Sequence, residues 1–557
     1  MKKVIAVLLS GFVLASAATG CAGNGSSGGT SETSVEINEI PDEADVGELP
    51  SKFDLRDTDG KSYVTAVKSQ LWGDCWAFSL AGSAEIAYLY ANGMGVPTGK
   101  VNDKVNFSEK YIVNYMFHGV TKDDVSVGRV RASQVGEGFD PKQAEDASEL
   151  STYFIGGPFV HTANLFGSGF GPVEESVSVK GELPYEYNDD ASVEWLLPLN
   201  AEYRCAPVSA LFRESRILPA PSECDAQGKY RFNEEGVTAI KTELYRGHGV
   251  SMALNVTNPN FIQKNLAAYY DGDDDPDHAI TVVGYDDDYP KENFVERDES
   301  GKIVKGSLPP GDGAFIIKNS WGIVDEEKDG FIYVSYYDHG ICSAMSYVFD
   351  DNKTAKHTKR NIDQYDLMMT QWYGVTEYDK ETKTANIFGA EEDESLYQLE
   401  YRTAFPDAEV SYEIYKDVKK DDPSSGTLLE KGVCSHKYAG SHVIDLKGEY
   451  GLKKGDLYSV VLTVRRGGAY AEVFPYSTKF FGGMSVKGIV NKGESFLYKD
   501  GKWTDMTERK DSLLESAYKQ CAEGLKNNKA VPEIELDKST FALDNYPIKA
   551  ISAPKGK

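Results

Sequence analysis

The stretch VKSQLWGDCWAFS, residues 67–79, decides which fold we expect for this chain of 557 residues. From Cys75 to about Leu89, alanines and apolar residues follow a helical spacing, so a helix is predicted to begin at or near Cys75. At a helix N-terminus, free amide N–H groups and the helix dipole stabilise a thiolate, the reactive form of cysteine. Gln70, just upstream, can lend its side-chain amide to an oxyanion hole together with the cysteine N–H. Taken alone, Cys75 also fits a buried helix cysteine.

Two later motifs add a histidine and an asparagine to this thiol. The motif DHAITVVGY, residues 277–285, and the motif IIKNSWG, residues 316–322, are β-branched runs, and DGFI follows at 329–332. Together with residues 67–79 they resemble, in chain order, the cysteine, histidine and asparagine motifs of papain-family cysteine peptidases. The resemblance covers about residues 49–349.

The resemblance implies a role for each residue that matches a family motif. Cys75 is expected to attack the scissile carbonyl and form a thioester, and His278 to accept and return the proton. Asn319 is expected to orient the imidazole, Trp321 to shield that hydrogen bond from water, and Gln70 to donate to the oxyanion. The implied activity is an endopeptidase that acts on proteins or peptides and needs no cofactor and no metal.

Three departures from the family pattern lie beside the nucleophile. Gln70 stands five residues before Cys75 instead of the usual six, and Ser69 occupies the usual slot. Trp72 replaces the familiar disulfide cysteine, and Asp74 adds a negative charge that raises the thiol pKa unless it is solvated. These features keep open a catalytically weak papain-like adhesin or binding protein. An exopeptidase, in which an insertion closes one end of the cleft, also remains open.

The resemblance extends to a predicted substrate-binding set. Gly156 and Gly157 match the glycine pair of the cleft wall, where bare backbone binds the substrate strand. Ala253 falls where a residue of the main specificity pocket is expected. Asp277 and Trp321, which flank the catalytic histidine and asparagine, complete the set. A simple turn is the alternative for the two glycines.

The pattern of residue types along the chain predicts two large domains. A helix-rich stretch followed by short strands predicts an α+β, two-lobed papain-like peptidase domain at 49–350. Alternating apolar and polar residues then predict an all-β sandwich at 360–505, followed by a C-terminal tail at 506–557. This sandwich resembles the lectin-like domain of some bacterial papain-family peptidases. Glycan binding does not follow from a sandwich alone, so a structural role stays open.

The N-terminus is predicted to be an export signal of the lipoprotein type. Residues 1–20 combine two lysines with a short apolar run, and small residues precede Cys21. Cys21 is therefore the predicted lipidation site, and residues 21–48 a flexible, acidic tether. This predicts a secreted protein that is lipid-anchored to the outer face of a bacterial membrane. An ordinary signal peptide with a chance cysteine is the alternative.

Composition excludes some partners. The formal net charge of −28 disfavours nucleic acid, because phosphate binding needs clustered Lys and Arg. The seven cysteines include no C-x-x-C pair, which leaves a zinc knuckle unsupported, and Cys205 with Cys224 are the candidates for a disulfide. The acidic run 271–275 lacks the closing glutamate of an EF-hand, so it is interpreted as a solvated loop instead of a calcium site.

Overall fold

The structure is a computed structural model of the chain. The residues it describes are 35–41, 44–125, 130–140, 151–154, 156–177, 185, 195, 197, 208–224, 229–256, 261–274, 276–323, 329–350, 356–357, 359–368, 372–478, 485–527 and 536–555. Three of the predicted features, the signal segment 1–20, Cys21 and Cys205, lie outside these residues.

Helices are few in the described residues. They are α1 (Cys75–Ala91), α2 (Glu109–Met116), α3 (Lys122–Val125), α4 (Ser151–Phe154), α5 (Phe159–Gly167), α6 (Glu234–Tyr245) and α7 (Lys510–Asn527). Short 3₁₀ turns occur at Ala132–Gln134, Gln263–Asn265, Lys291–Phe294, Met506–Glu508 and Lys538–Thr540.

Strands make up most of the regular structure. Up to residue 350 they are β1 (Ile37–Ile40), β2 (Lys52–Asp54), β3 (Lys61–Ser62), β4 (Val96–Pro97), β5 (Gly138–Asp140), β6 (Phe212–Leu218), β7 (Ser222–Cys224), β8 (Tyr230–Phe232), β9 (Val250–Leu254), β10 (Ala267–Ala268), β11 (His278–Asp286), β12 (Val295–Arg297), β13 (Ile303–Gly306), β14 (Ala314–Lys318), β15 (Phe331–Ser335) and β16 (Ser343–Phe349). Beyond it they are β17 (Asn361–Asp363), β18 (Trp372–Tyr378), β19 (Lys383–Gly389), β20 (Glu394–Thr403), β21 (Ala408–Lys416), β22 (Thr427–His436), β23 (Gly440–Leu452), β24 (Leu457–Arg466), β25 (Ala469–Ser477), β26 (Ser485–Lys487), β27 (Ser495–Lys499), β28 (Lys502–Asp505), β29 (Ala542–Leu543) and β30 (Ile548–Pro554).

Helix α1 is buried nearly all round, as its run of alanines, leucines and small polar residues requires. It packs against β11, where Ser79 Oγ donates to the Ile280 carbonyl at 2.6 Å and Thr281 Oγ1 donates to the Ser79 carbonyl at 2.9 Å. Gly82 is required at this contact, since a Cβ there would lie 2.7 Å from Thr281 Oγ1. These contacts fix α1 against β11 one turn beyond Cys75.

A twelve-stranded sheet runs from one part of the chain into the other. Its order is β10-β15-β14-β11-β9-β16-β6-β23-β20-β30-β17, with β2 also paired to β11. The step from β6 to β23 joins residues of the two predicted domains through the pair Glu214 and His442. The two domains are therefore connected by backbone pairing as well as by the chain.

A second sheet of ten strands covers the C-terminal core. Its main path is β1-β22-β21-β24-β19-β27-β28, and β25 pairs with β18, β24 and β29. Strand β21 shows the predicted alternation, with Val410 and Tyr412 buried and Glu409 and Ser411 exposed. The apolar side chains of this sheet pack with those of β20 and β30 in one cluster, so the core lies between the two sheets.

Both ends of the described chain differ from their predicted roles. Within the predicted tether, β1 pairs in parallel with β22, so that Ile37 lies opposite Lys431. In the predicted tail, β30 lies between β20 and β17 and is buried along most of its length. A strand that fills a gap between two others removes two open sheet edges, which explains why this tail is ordered into the sheet. Among the helices of the described residues, none is long and apolar enough to cross a membrane.

Candidate active site

Cys75 is the first residue of α1 and is 8% exposed. Burial raises the pKa of its thiol to about 12, the backbone amide of Ala279 acts against this, and Asp74 raises the pKa further. The amide of Trp76, on the helix itself, also favours the thiolate. In the free protein the thiol form is therefore favoured, and the thiolate has to form with substrate or with a protonated partner.

His278 begins β11, and the next residue is the Ala279 whose amide acts on Cys75, so the two side chains belong to one small region. His278 Nε2 lies 2.8 Å from Asn319 Oδ1. The backbone N–H of Ser320 donates to the same Oδ1 at 2.8 Å, which identifies that atom as the oxygen and Nε2 as the protonated nitrogen. Burial lowers the pKa of His278 to about 4, and the Asn319 hydrogen bond acts against this shift.

Trp321 covers the histidine. Its indole stacks on the His278 ring with centroids 4.6 Å apart and an angle of 27° between the planes. The outer side of the indole is open to solvent, with 48% of the residue exposed. Trp321 therefore lies between bulk water and the imidazole that Asn319 holds.

Gln70 is held by the same segment as Asn319. Its backbone N–H donates to the Ser320 carbonyl at 2.7 Å, and Ser320 Oγ donates to Gln70 Oε1 at 2.6 Å. Gln70 Nε2 donates to the Trp72 carbonyl at 2.7 Å, three residues before Cys75. Because a primary amide carries two N–H groups, this arrangement fixes the side chain and leaves a second donor.

The predicted glycine pair lies beside α1. A Cβ on Gly157 would lie 2.4 Å from the Trp76 ring, so only glycine allows this backbone to approach α1. Gly156 has a φ of +74° and open space where a Cβ would be. Both features fit a wall of bare backbone next to Cys75.

The remaining predicted residues lie on or next to β9 and β11. Ala253 pairs with Ala279 and is fully buried, so its side chain belongs to the core that also contains the thiol. Asp277 immediately precedes His278 and accepts a hydrogen bond from the Val256 backbone at 2.9 Å. Burial raises the pKa of Asp277.

Asp74 and Tyr185 form a contact that the sequence did not predict. Asp74 is fully buried, and its Oδ2 accepts a hydrogen bond from the Tyr185 hydroxyl at 3.0 Å. Burial raises the pKa of this carboxyl to about 7, and the Tyr185 hydrogen bond acts against the shift. The sequence carries no local signal for this pair, since 111 residues separate the partners.

A buried ion network lies next to the site and connects the segments that form it. The sequence analysis did not predict this network. Lys68 Nζ lies 3.1 Å from Glu85 Oε1 and 2.6 Å from Glu109 Oε1. Lys318, which precedes Asn319, donates to Thr65 Oγ1 at 2.7 Å. The network joins α1 to the segments that carry Gln70 and Asn319.

One group in the described residues has the side chains of a metal site: Glu214, His436 and His442, with ligand atoms within 4.8 Å of one another. The two imidazoles stack with centroids 3.6 Å apart and planes 17° apart, so their lone pairs run side by side instead of converging. Glu214 is also held by Arg216 at 2.6 Å. This geometry fits a contact between domains better than a bound cation.

Comparison with known proteins agrees with the fold and the motifs. A family model described as papain family cysteine protease matches residues 176–385, and one described as lectin like domain matches residues 362–517. The first match contains His278 and Asn319 and begins after Cys75. No curated protein matches the sequence.

Two solved structures of Cwp84 have the same fold. One holds the cysteine protease and lectin-like domains of Cwp84, a surface layer associated protein of Clostridium difficile; it is 18% identical, with a TM-score of 0.61, over 94% of this chain and 91% of that one. The other is the clostridial protease after propeptide cleavage, 17% identical with a TM-score of 0.59, over 91% of this chain and all of that one.

The chain contains a papain-family cysteine protease domain followed by a lectin-like domain, which confirms the predicted order. Strands greatly outnumber helices in the described residues, so the predicted α+β description fits only loosely.

Proposed function

We propose that the protein hydrolyses internal peptide bonds of extracellular proteins or peptides through Cys75, His278 and Asn319. The observation that carries this proposal is the 2.8 Å contact between His278 Nε2 and Asn319 Oδ1, covered by Trp321 and adjacent to the thiol at the start of α1. A histidine held through Nε2 has only Nδ1 left to exchange a proton with the thiol.

The reaction follows from these positions. Cys75 gives its proton to His278 Nδ1, and Sγ forms a bond to the scissile carbonyl carbon. The resulting oxyanion accepts hydrogen bonds from the Cys75 N–H and the second N–H of Gln70. The C–N bond then breaks as the imidazolium protonates the leaving amine. Water, deprotonated by His278, hydrolyses the thioester and restores the thiol.

Substrate is proposed to bind as an extended strand along Gly156 and Gly157, close to the helix that carries Cys75. Backbone hydrogen bonds to such a strand leave side-chain recognition to the pocket walls. We assign Ala253, Asp277 and Trp321 to those walls because they lie on or beside the strands that position the catalytic histidine and asparagine.

Cleavage of a fluorogenic peptide library under reducing conditions, beside the Cys75→Ser variant, tests the assignment. We expect cleavage by the parent and none by the variant. Mapping the cuts in a long peptide distinguishes internal cleavage from trimming at the ends. Cleavage that persists in Cys75→Ser would rule out this nucleophile, and removal of terminal residues alone would point to the exopeptidase.

The Gln70→Ala variant tests the shifted glutamine. If Gln70 donates to the oxyanion, its loss lowers kcat about 100-fold and changes KM much less. The exposed Gln263→Ala variant is the matched control and is expected to keep the parental kcat. An unchanged kcat for Gln70→Ala would mean that only backbone N–H groups donate hydrogen bonds to the oxyanion.

A second candidate is a binding protein with weak or no catalysis. Two observations favour it: one N–H and the oxygen of the Gln70 amide are already hydrogen-bonded, and a buried carboxyl stands beside the thiol. In this case the lectin-like domain would supply the function by binding glycans. A folded parent that cleaves no peptide of the library yet binds a glycan array would support this candidate.

Location is part of the proposal. We propose export and lipid attachment at Cys21, on the sequence of residues 1–21 and on the surface-layer association that is stated for Cwp84. Cys21→Ala should move the protein from the membrane fraction to the medium of the producing bacterium. Equal release of parent and variant would favour an ordinary signal peptide.

A further inference from the structure

A cavity of about 350 Å³ lies where the two domains meet. One wall comes from the peptidase domain, with Arg213 on β6 and Asp350 after β16. The connecting segment adds Arg360, and β20 and β23 of the lectin-like domain form the opposite wall. This volume falls within the range of small-molecule sites, about 300–1000 Å³.

An irregularity in the sheet shapes the lectin-like wall. Along β20, Leu396 lies opposite Ser552 of β30 and Gln398 lies opposite Ile551, so Tyr397 is an extra residue. Bulges of this kind re-aim side chains and occur often beside binding sites. Here the bulge brings two consecutive residues, Tyr397 and Gln398, to the same cavity.

The partner strand departs from regular pairing at the same place. Strand β23 pairs with Leu396 through Tyr450 and with Gln398 through Asp445. The residues between these two positions leave the ladder, and Leu446 and Gly448 from this excursion line the cavity. Two adjoining irregularities thus open the sheet where a regular ladder would have closed it.

The side chains of the cavity carry buried polar atoms that have no hydrogen-bond partner. These atoms are the Tyr397 hydroxyl, Gln398 Oε1 and Arg360 Nε. Tyr397 and Gln398 are 6% and 5% exposed, so bulk water does not compensate them. Orphaned buried groups are rare in native proteins and are costly to keep. A bound polar ligand would supply the missing partners.

The charges of the cavity are already paired with one another. Arg213 holds Asp445 through two hydrogen bonds of 3.0 and 2.9 Å, and Arg360 lies 3.2 Å from Asp350. Lys356 pairs with Glu449. An anionic ligand would have to displace a carboxylate, whereas a neutral hydroxylated ligand can bridge these groups.

The half-buried ring of His357 gives the wall an aromatic surface. The rings of His357 and Tyr397 lie 4.6 Å apart at an angle of 59°. Sugars expose C–H groups that pack on such rings and hydroxyls that bond to carboxylate, guanidinium and amide groups. We propose that this cavity at the domain junction binds a short neutral saccharide. The proposal deepens the glycan-binding role given above for the lectin-like domain, and it does not depend on peptidase activity.

Calorimetric titration of the whole chain carrying Cys75→Ser tests the proposal. The probes are chitotriose, for bacterial cell-wall glycan, mannotriose, for glycoprotein chains, maltotriose, and a sulfated trisaccharide as the anionic comparison. We expect one neutral probe to bind and the sulfated probe not to bind. Preference for the sulfated probe, or no binding of any neutral probe, would overturn the proposal.

The Tyr397→Phe variant locates the site. We expect binding to weaken about tenfold, because one hydrogen bond to the ligand is lost. The Tm of the free protein should stay the same or rise, since the hydroxyl has no partner there. The matched control is Tyr401→Phe on the same strand, whose hydroxyl contacts His436 Nε2 at 2.8 Å; it should keep parental saccharide affinity.

Two outcomes would contradict this location. Equal weakening in Tyr397→Phe and Tyr401→Phe would show a general effect on the domain, and parental affinity in Tyr397→Phe would place the site elsewhere. Peptide cleavage by the protein with an intact Cys75, in the absence of saccharide binding, would overturn this proposal alone. Saccharide binding without cleavage would instead overturn the endopeptidase.

Discussion

Two carboxyl groups at the start and in the middle of α1 are equally buried and differ in their partners. Asp74 and Glu85 are both 0% exposed. Burial raises the pKa of Asp74 to about 7, because its partners are neutral: the Tyr185 hydroxyl and backbone amides. Burial also acts to raise the pKa of Glu85, but Lys68 and Lys318 outweigh it, so that pKa is lowered.

The comparison shows that partners, and not burial alone, decide which buried group keeps its charge. Glu85 is a fixed anion whose cations come from segments next to Gln70 and Asn319, so it helps to hold these proposed catalytic residues in place. Asp74 changes charge near neutral pH beside the nucleophile, so it is suited to act on reactivity.

The largest effect, on the free energy of unfolding, is expected for Glu85→Gln. This change removes the anion that Lys68 and Lys318 share and leaves buried cations with less compensation. Breaking a buried pair on one side costs about 3–5 kcal/mol, so the free energy of unfolding in urea should fall by about that amount. The coupling to Gln70 and Asn319 should also lower kcat.

The control for this variant is Glu299→Gln, an exposed glutamate in a loop. It should change the free energy of unfolding by less than about 0.5 kcal/mol. A loss below about 1 kcal/mol for Glu85→Gln would contradict the fixed-anion role, since surface pairs contribute that little.

The next effect concerns Asp74→Asn and the pH dependence of kcat/KM. The Asp74 carboxyl is neutral below about pH 7 and charged above it, and the charged form opposes the Cys75 thiolate. The parent should therefore lose activity as pH rises through 7, and the variant should not. A shift of one pKa unit corresponds to about tenfold, so the variant should exceed the parent about tenfold at pH 8.

The same group predicts a pH dependence of stability. Its pKa in the folded protein, about 7, lies above its ordinary value of 3.8. Between these values the folded state binds more protons than the unfolded state, so stability falls as pH rises from about 4 to about 7. Asp74→Asn should lack this contribution. If the free energy of unfolding in urea depends on pH in the same way for the parent and for Asp74→Asn, the Asp74 carboxyl is not held in a neutral form.

Local sequence was enough to predict the local structure around the proposed catalytic residues. Cys75 begins a helix because small and apolar residues follow it, and His278 begins a strand because β-branched residues follow it. Asn319 and Trp321 belong to one short motif. Their neighbours in sequence determine their local structure, so a short window contains the signal.

Other features depend on contacts between distant parts of the chain. Tyr185 meets Asp74 through the tertiary fold alone, and nothing near either residue marks the pair. The strands at 37–40 and 548–554 exist because they fill open sheet edges far away in sequence. The cavity at the domain junction likewise needs a bulge at Tyr397, which alternation of residue types does not reveal.

The smallest effect is expected for Tyr185→Phe, which should shift the pH at which kcat/KM declines. The direction of this shift distinguishes the role of Asp74 from a general loss of the site. The hydroxyl donates to Asp74 Oδ2 and stabilises its charged form, so its removal raises the pKa of Asp74 further. The decline of kcat/KM should therefore move to higher pH, by about one unit, opposite to what a general loss of the site would give. Phenylalanine also removes the acceptor of the Leu71 N–H, which lowers kcat equally at every pH and leaves the midpoint unchanged. The buried Tyr347→Phe variant is the control and should keep the parental midpoint. If the decline of kcat/KM in Tyr185→Phe has the same midpoint pH as in the parent, Asp74 does not control the reactivity of the thiol.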